Sequence, residues 1–247
     1  WRWLTTFATL GILWALGRRM GAKGFAALVA VLACALVYRM RTQIRPETVV
    51  AVLLAAQLWV LETRRQGGRD RSAWCIPIAW GWANAHISWY LGFVVMGAYL
   101  LDDVLRVRGG NPSARARARR LAIVTLGALA ISFLNPWGWR ALWQPFEYFL
   151  YWRHEPIFQT IVELKPLNWR DQLTTPLVPL LVGWPALIVW RASRGSFDRL
   201  EAFLCLGFSA LAIATQRFIG VYAIVAMPFV MRGLSAWSAA RRWPAWS

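Results

Sequence analysis

Acidic residues are scarce in this sequence: 11 Asp and Glu stand against 28 Lys and Arg, a formal net charge of +17 over 247 residues. Histidine is scarcer, with only His86 and His154. The three cysteines, Cys34, Cys75 and Cys205, each lie inside an apolar segment. Their spacing suits neither a disulfide framework nor a CxxC zinc site, so they read as small buried hydrophobes. GxGxxG, P-loop, HExxH and GxSxG motifs are missing, as is any internal repeat. A phosphate cradle or a soluble metal site therefore has no support, and no cofactor or divalent metal is implied. The apolar runs also lack the period-two alternation of a transmembrane β-barrel.

What remains is apolar. Hydrophobic residues make up 58%, with 18 Trp and a mean hydropathy of +0.42. A soluble domain averages roughly 45–50% apolar. The excess falls in runs of about 13–20 residues separated by short arginine-rich segments, close to the ~20 residues a membrane-spanning helix needs. In lipid the backbone must satisfy its own hydrogen bonds, so helices are expected. The surplus positive charge lies in those short loops, where the positive-inside rule places it, and not on a soluble patch beside exposed aromatics. No nucleic-acid partner follows from it; membrane lipids do.

The expected spans are 3–17, 24–38, 47–63, 74–86, 89–101, 121–134, 172–190, 200–215 and 218–236. "RVRGGNPSARARARR", Arg106 to Arg120, holds six arginines and no acid and marks the cytoplasmic side. "GRRMGAK", "TRRQGGRDR" and "RASRGSFDR" then share that side. In this topology 19 of the 28 basic residues are cytoplasmic. "RMRTQIRPE", residues 135–171 and "TQRF" face outward. The chain starts at Trp1 inside an apolar run with no initiator Met, the pattern of a piece of a longer protein.

Segment 74–101 has basic loops at both ends, so one straight helix is excluded, while two full spans need ~40 residues. A short helical hairpin turning near Asn84–Ser88 is expected, packed in a bundle or against a wet cavity. The fold class is therefore all-α: a polytopic transmembrane bundle of about seven full spans plus this hairpin, forming a single domain over 1–247. In the outer segment 139–171, "ALWQPFEYFLYW" reads as an amphipathic helix lying in the interface. It turns Trp143, Phe146, Phe149, Leu150 and Trp152 toward lipid. Pro176, Pro179 and Pro185 kink or break the span after it.

Few residues carry chemistry. Asn84 and His86 either join helices by hydrogen bonds or line a ligand path, the common use of ionisable groups at membrane depth. Pro46 and Glu47 form a helix start. Arg41 and Arg45 either snorkel or clamp a phosphate, for which a guanidinium fork is well shaped. Arg217, in a tight outer turn, is a second anion-binding candidate. Glu163 is the best outer carboxylate and the candidate general base. Asp171 reads as a helix cap.

Five landmarks occur in order: "RPE" at 45–47, "WANAH" at 82–86, "NPWGWR" at 135–140, "IVELKP" at 161–166 and "QRF" at 216–218. In them the chain resembles bacterial polytopic membrane proteins related to the GT-C glycosyltransferases, which use polyprenyl-phosphate sugars and include protein mannosyltransferases and aminoarabinose transferases. That group is expected to show Arg-Pro-His, Trp-Ala-Asn-x-His-Gly, Asn-Pro-Tyr-Gly, Glu-Trp-x-Pro and Ser-Arg-Phe. Here Glu47, Ile87, Trp137, Leu164 and Gln216 depart from it. The resemblance implies a GT-C-like bundle in the bacterial inner membrane with a cavity open to the outer side. A polyprenyl-phosphate sugar donor would be held there by Arg45 and Arg217, with Asn84 and His86 lining the pocket and Glu163 at the acceptor. It also implies an essential acid in an outer loop upstream of Trp1. Two other readings stand beside it: a transporter or flippase for a lipid-linked or anionic solute, and a membrane protein with no chemistry. The hairpin and the kinked span do not match as paired halves, which weighs against the transporter.

Overall fold

The computed structural model describes residues 1–39 and 46–241. Every regular element among them is helical, as expected. The α-helices in chain order are α1 (Arg2–Arg19), α2 (Gly24–Arg39), α3 (Glu47–Arg65), α4 (Cys75–Ala85), α5 (Tyr90–Arg108), α6 (Pro112–Ser132), α7 (Trp139–Leu150), α8 (Pro156–Gln159), α9 (Trp169–Gln172), α10 (Leu177–Ala192), α11 (Arg199–Ala214) and α12 (Ile219–Ala239). The chain forms two compact units, Trp1–Thr9 with Gln43–Lys165 and Leu10–Thr42 with Pro166–Ser247.

In the first unit α3, α4, α5 and α6 run up, down, up and down. Gln57 donates to the Gly92 carbonyl at 3.0 Å and Tyr99 to Glu62 at 2.9 Å, so α3 and α5 run in the same direction. Gly81 of α4 faces Leu53. Gly127 of α6 faces Ile76 so closely that a Cβ would lie 3.2 Å from its Cδ1. Leu54, Leu58, Leu61, Trp82, Leu91, Met96 and Leu121 fill the middle. Local signals set the ends. Gly110, at φ +83°, closes α5 in a backbone conformation that favours glycine. Asn111 accepts from the Ser113 N–H to cap α6, with Pro112 in its first turn.

One end of this unit holds a charge cluster. Arg64, with its side chain 2% exposed, donates to Asp103 at 2.6 Å and to the Arg117 carbonyl at 2.6 Å. Arg117 also pairs with Asp103, Arg106 with Asp102, Arg120 with Asp70 and Arg65 with Glu62. Burial works to raise the Asp70 pKa, but hydrogen bonds from Ser72 and the Arg64 and Arg120 guanidiniums outweigh it and hold the carboxyl below its usual value. These residues fall in the segments read as cytoplasmic loops, but α3 runs to Arg65, α5 to Arg108 and α6 starts at Pro112, so most of the arginines lie in helix ends. Several of their arginines are bound to carboxylates on neighbouring helices as well as being positive.

In the second unit α12 is the central element, packed against α2, α10 and α11. It is buried on nearly every side, which explains why it is apolar all round. α2 runs antiparallel to it, since Lys23 at the start of α2 bonds Ser235 near the end of α12 through both its N–H and its carbonyl. Trp184 of α10 stacks on Phe229 at 6.1 Å between ring centroids. A second charge cluster lies beside it. Glu201, 1% exposed, accepts from Trp184 Nε1, Arg191 and Arg232, and Arg232 also reaches Asp198.

Among the described residues one helical stretch, Gln216–Ala239, is long and apolar enough to cross a membrane; it has a mean hydropathy of 1.6. Gly24–Arg39 and Leu177–Ala192 are apolar but shorter. α3, α5 and α6 reach 19–21 residues, yet their ends carry the charges of the first cluster. Apolar side chains also line outward faces. Phe25, Leu28, Val29, Leu32 and Leu36 form an exposed stripe at helical spacing along α2, and Ile123, Leu126, Leu129 and Phe133 form one along α6.

Candidate functional site

The break between α4 and α5 falls at His86, inside the stretch expected to turn. His86 is extended, at φ −162° and ψ 144°, and a 3₁₀ turn over Ile87–Trp89 follows. The turn is held by its own side chains. The Ser88 N–H donates to His86 Nδ1 at 3.1 Å, and Ser88 Oγ lies 2.7 Å from the same nitrogen. Trp82 Nε1 donates to Ser88 Oγ at 3.2 Å. Trp82 is buried against Gly92, where a Cβ would stand 3.1 Å from the ring; glycine lets α4 and α5 approach here.

The Ser88 backbone N–H makes Nδ1 an acceptor, so Nε2 carries the proton. Nε2 faces Glu47 Oε1 at 3.5 Å. Glu47 is the first residue of α3, where the helix dipole favours negative charge. Asn84 is exposed, and its Nδ2 donates to the carbonyls of Trp80 at 2.9 Å and Leu134 at 3.3 Å. Trp80 Nε1 donates to the same Leu134 carbonyl at 2.8 Å. The turn that begins there is closed by Asn135, whose Nδ2 bonds the Ser132 and Gly138 carbonyls, and by Gly138 at φ +54°. α7 starts at Trp139 and packs against the Ile87–Trp89 turn.

Glu47, "WANAH" and "NPWGWR", far apart in sequence, thus meet at one end of the first unit. In the second unit Gln216 of "QRF" donates from Nε2 to the Pro166 carbonyl at 3.1 Å, and the Leu167 N–H donates to the Ile213 carbonyl at 2.9 Å. Arg217 sits half-buried in the 3₁₀ turn Gln216–Phe218 of that unit. Glu163 sits half-buried in the 3₁₀ turn Val162–Leu164 of the first. Arg41 and Arg45 lie outside the described residues. Asp171 lies in the first turn of α9, whose N-cap is Asn168, with Asn168 Nδ2 donating to it at 2.7 Å. Among the described residues no group of three His, Cys, Asp or Glu side chains comes together to hold a metal ion.

α7 is amphipathic, while Trp152, expected on the same face, lies beyond it in a 3₁₀ turn stacked on Phe158 at 6.1 Å. Leu142 and Pro145 are buried, while Trp139, Trp143, Phe146 and Leu150 form an exposed apolar face. Trp143 stacks on Phe146 at 5.8 Å.

Sequence reasoning treated Glu47 only as a helix start and did not connect it to His86. Ser88 gave no signal as a turn-former beyond its place in the polar stretch. The chain matches no protein-family model, and no curated protein is similar to it.

Proposed function

We propose that this chain is a multi-pass protein of the bacterial inner membrane, of GT-C-like architecture, that transfers a sugar from a polyprenyl-phosphate donor at the outer face. It would have about seven full spans and the short hairpin at 74–101. The observation that carries the reading is the polar turn at Asn84–Ser88. An imidazole, a carboxylate and an amide gather where α4 and α5 reverse, beside an aromatic amphipathic helix. In this reading the turn faces a wet cavity, since ionisable groups at membrane depth commonly line a substrate path. Membrane residence is supported by the stripes on α2 and α6, which would be costly to expose to water. It is also supported by the positive loops and the apolar α12.

In this reading α7 lies in the outer interface with its aromatic face in the headgroup region. The family resemblance implies Arg45 and Arg217 as contacts of the donor phosphate. As the sugar leaves, negative charge gathers on that phosphate, and positioned guanidiniums stabilise it more in the transition state than in the ground state. Asn84 and His86 belong to the pocket wall, and Glu163 to the acceptor side. The test is binding of undecaprenyl phosphate to the full-length protein in proteoliposomes. Arg45→Ala and Arg217→Ala should each weaken it by about tenfold or more, as loss of a charge-assisted hydrogen bond implies. Unchanged binding in both variants would sink the assignment.

A further inference from the structure

We propose that the outward face of α6 seats an anionic phospholipid of the cytoplasmic leaflet, with the headgroup phosphate between Arg115 and Arg119 and an acyl chain along Ile123, Leu126, Leu129 and Phe133. The inference rests on the membrane reading and is independent of sugar transfer.

The arginines between Arg106 and Arg120 are not equivalent. Arg106 pairs with Asp102 at 2.8 Å, Arg117 with Asp103 at 3.3 Å and Arg120 with Asp70 at 3.4 Å. Arg115 and Arg119 are exposed, and no carboxylate among the described residues pairs with either. They stand one turn apart on one face of α6, a spacing at which like charges destabilise a helix. An anion held between them removes that repulsion. Two guanidinium forks about 6 Å apart along the axis suit a phosphate.

The same face continues as the apolar stripe. Steps of three and four residues lead from Arg119 to Ile123, Leu126, Leu129 and Phe133. Ile123 is 59% and Leu126 68% exposed. From Ile123 to Phe133 the stripe offers an acyl chain a seat about 15 Å long, at ~1.5 Å per residue. The opposite face, with Leu121, Val124 and Ala128, is buried within the first unit. Side chains on a helix lean toward its N-terminus, so the two arginines carry their charge away from the stripe and toward the headgroups. A soluble phosphate or an acidic peptide would leave the apolar half uncovered; a phospholipid covers both halves.

Trp74 marks the boundary between them. α4 runs parallel to α6, since Ile76 faces Gly127 and Trp80 Nε1 donates to the Leu134 carbonyl. Trp74, 61% exposed and two residues before Ile76, therefore stands near the level of Ile123. An indole just inside a ring of arginines is the arrangement of an interfacial belt. The headgroup should carry net negative charge, because the choline of a zwitterionic lipid brings its own cation to the phosphate.

The test uses the full-length protein with Leu126→Cys, labelled with bimane; the native cysteines are buried. It is reconstituted in phosphatidylcholine vesicles that carry a minor fraction of brominated phosphatidylglycerol or, in parallel, of brominated phosphatidylcholine. Quenching should report a preference for phosphatidylglycerol of about tenfold or more, as two basic residues at an anionic headgroup imply. Arg115→Gln with Arg119→Gln should reduce that preference to within about twofold. Arg18→Gln with Arg194→Gln removes the same charge from other segments expected on that side and should leave the preference unchanged. Equal quenching by the two lipids would overturn the site and leave the membrane reading standing. An equal loss of preference in both double variants would also overturn it, by showing diffuse attraction to the whole basic side. No quenching by either lipid would overturn the site and the membrane reading together.

Discussion

Glu201→Ala should be among the most damaging single substitutions in the second unit. The carboxylate is 1% exposed and accepts from three donors: the Trp184 indole, Arg191 and Arg232. Arg232 keeps Asp198 at 2.9 Å, but Arg191 loses its carboxylate partner with only 15% of its side chain exposed. Removing one partner of a buried ion pair costs about 3–5 kcal/mol, because the other charge stays desolvated. The orphaned Trp184 N–H adds a cost of about 1–3 kcal/mol on its own, though terms in one network do not add simply. About 3–5 kcal/mol is therefore expected, against a total stability of roughly 5–15 kcal/mol. Glu201→Gln keeps an oxygen for Trp184 and should lose less. The double variant Glu201→Leu with Arg191→Met removes both partners and should recover part of the loss. Exposed Arg194→Ala should stay within about 0.5 kcal/mol. The assay is reversible denaturant unfolding of the detergent-solubilised protein, followed by far-ultraviolet circular dichroism. A Glu201→Ala cost below about 1 kcal/mol would mean that water reaches the cluster, and the argument from burial would fail.

Three further outcomes follow from the same contacts. Ser88→Ala should cost about 1–3 kcal/mol by leaving the buried Trp82 N–H without its acceptor; combined with Trp82→Phe the losses should fall short of additive by at least ~0.5 kcal/mol, and strict additivity would refute the bond. Asp70 has a depressed pKa, so it contributes stability above its unfolded value that is lost as pH falls through the folded one. The melting temperature should therefore drop on acidification below about pH 4, and Asp70→Asn should flatten that limb; an unchanged slope would count against the ion pairs with Arg64 and Arg120. Spin labels at Trp143→Cys and Phe146→Cys in liposomes should be accessible to oxygen and shielded from an aqueous nickel chelate, with Gln144→Cys the reverse. Equal accessibility at all three would remove α7 from the interface.

The helical class and the break at His86 were legible because they rest on quantities that survive without coordinates. Basic segments on both sides of 74–101 leave too few residues for two spans, so a reversal near the polar residues is expected, and it occurs at His86; the arm after it is not short, because α5 continues past the expected end to Arg108 and α6 begins already at Pro112. The aromatic face of α7 was legible for a similar reason: a period of 3.6 is written in the sequence. The partner of His86 was hidden because it depends on register between helices. Glu47 opens α3, and only the antiparallel run of α3 and α4 brings it level with the end of α4. The acid–arginine clusters were hidden for the opposite reason. Asp102, Asp103, Glu62 and Glu201 sit within or at the edges of apolar runs, where a hydropathy reading absorbs them and assigns the nearby arginines to loops. Their pairing also explains why several expected spans fall short as apolar windows. The last two turns of α3 and α5, the first turns of α6 and the start of α11 carry charges that neutralise one another, within α5 for Arg106 and Asp102 and between helices for Arg64, Arg117 and Arg232. A basic segment in such a chain therefore does more than carry positive charge: its individual arginines hold the helix ends together.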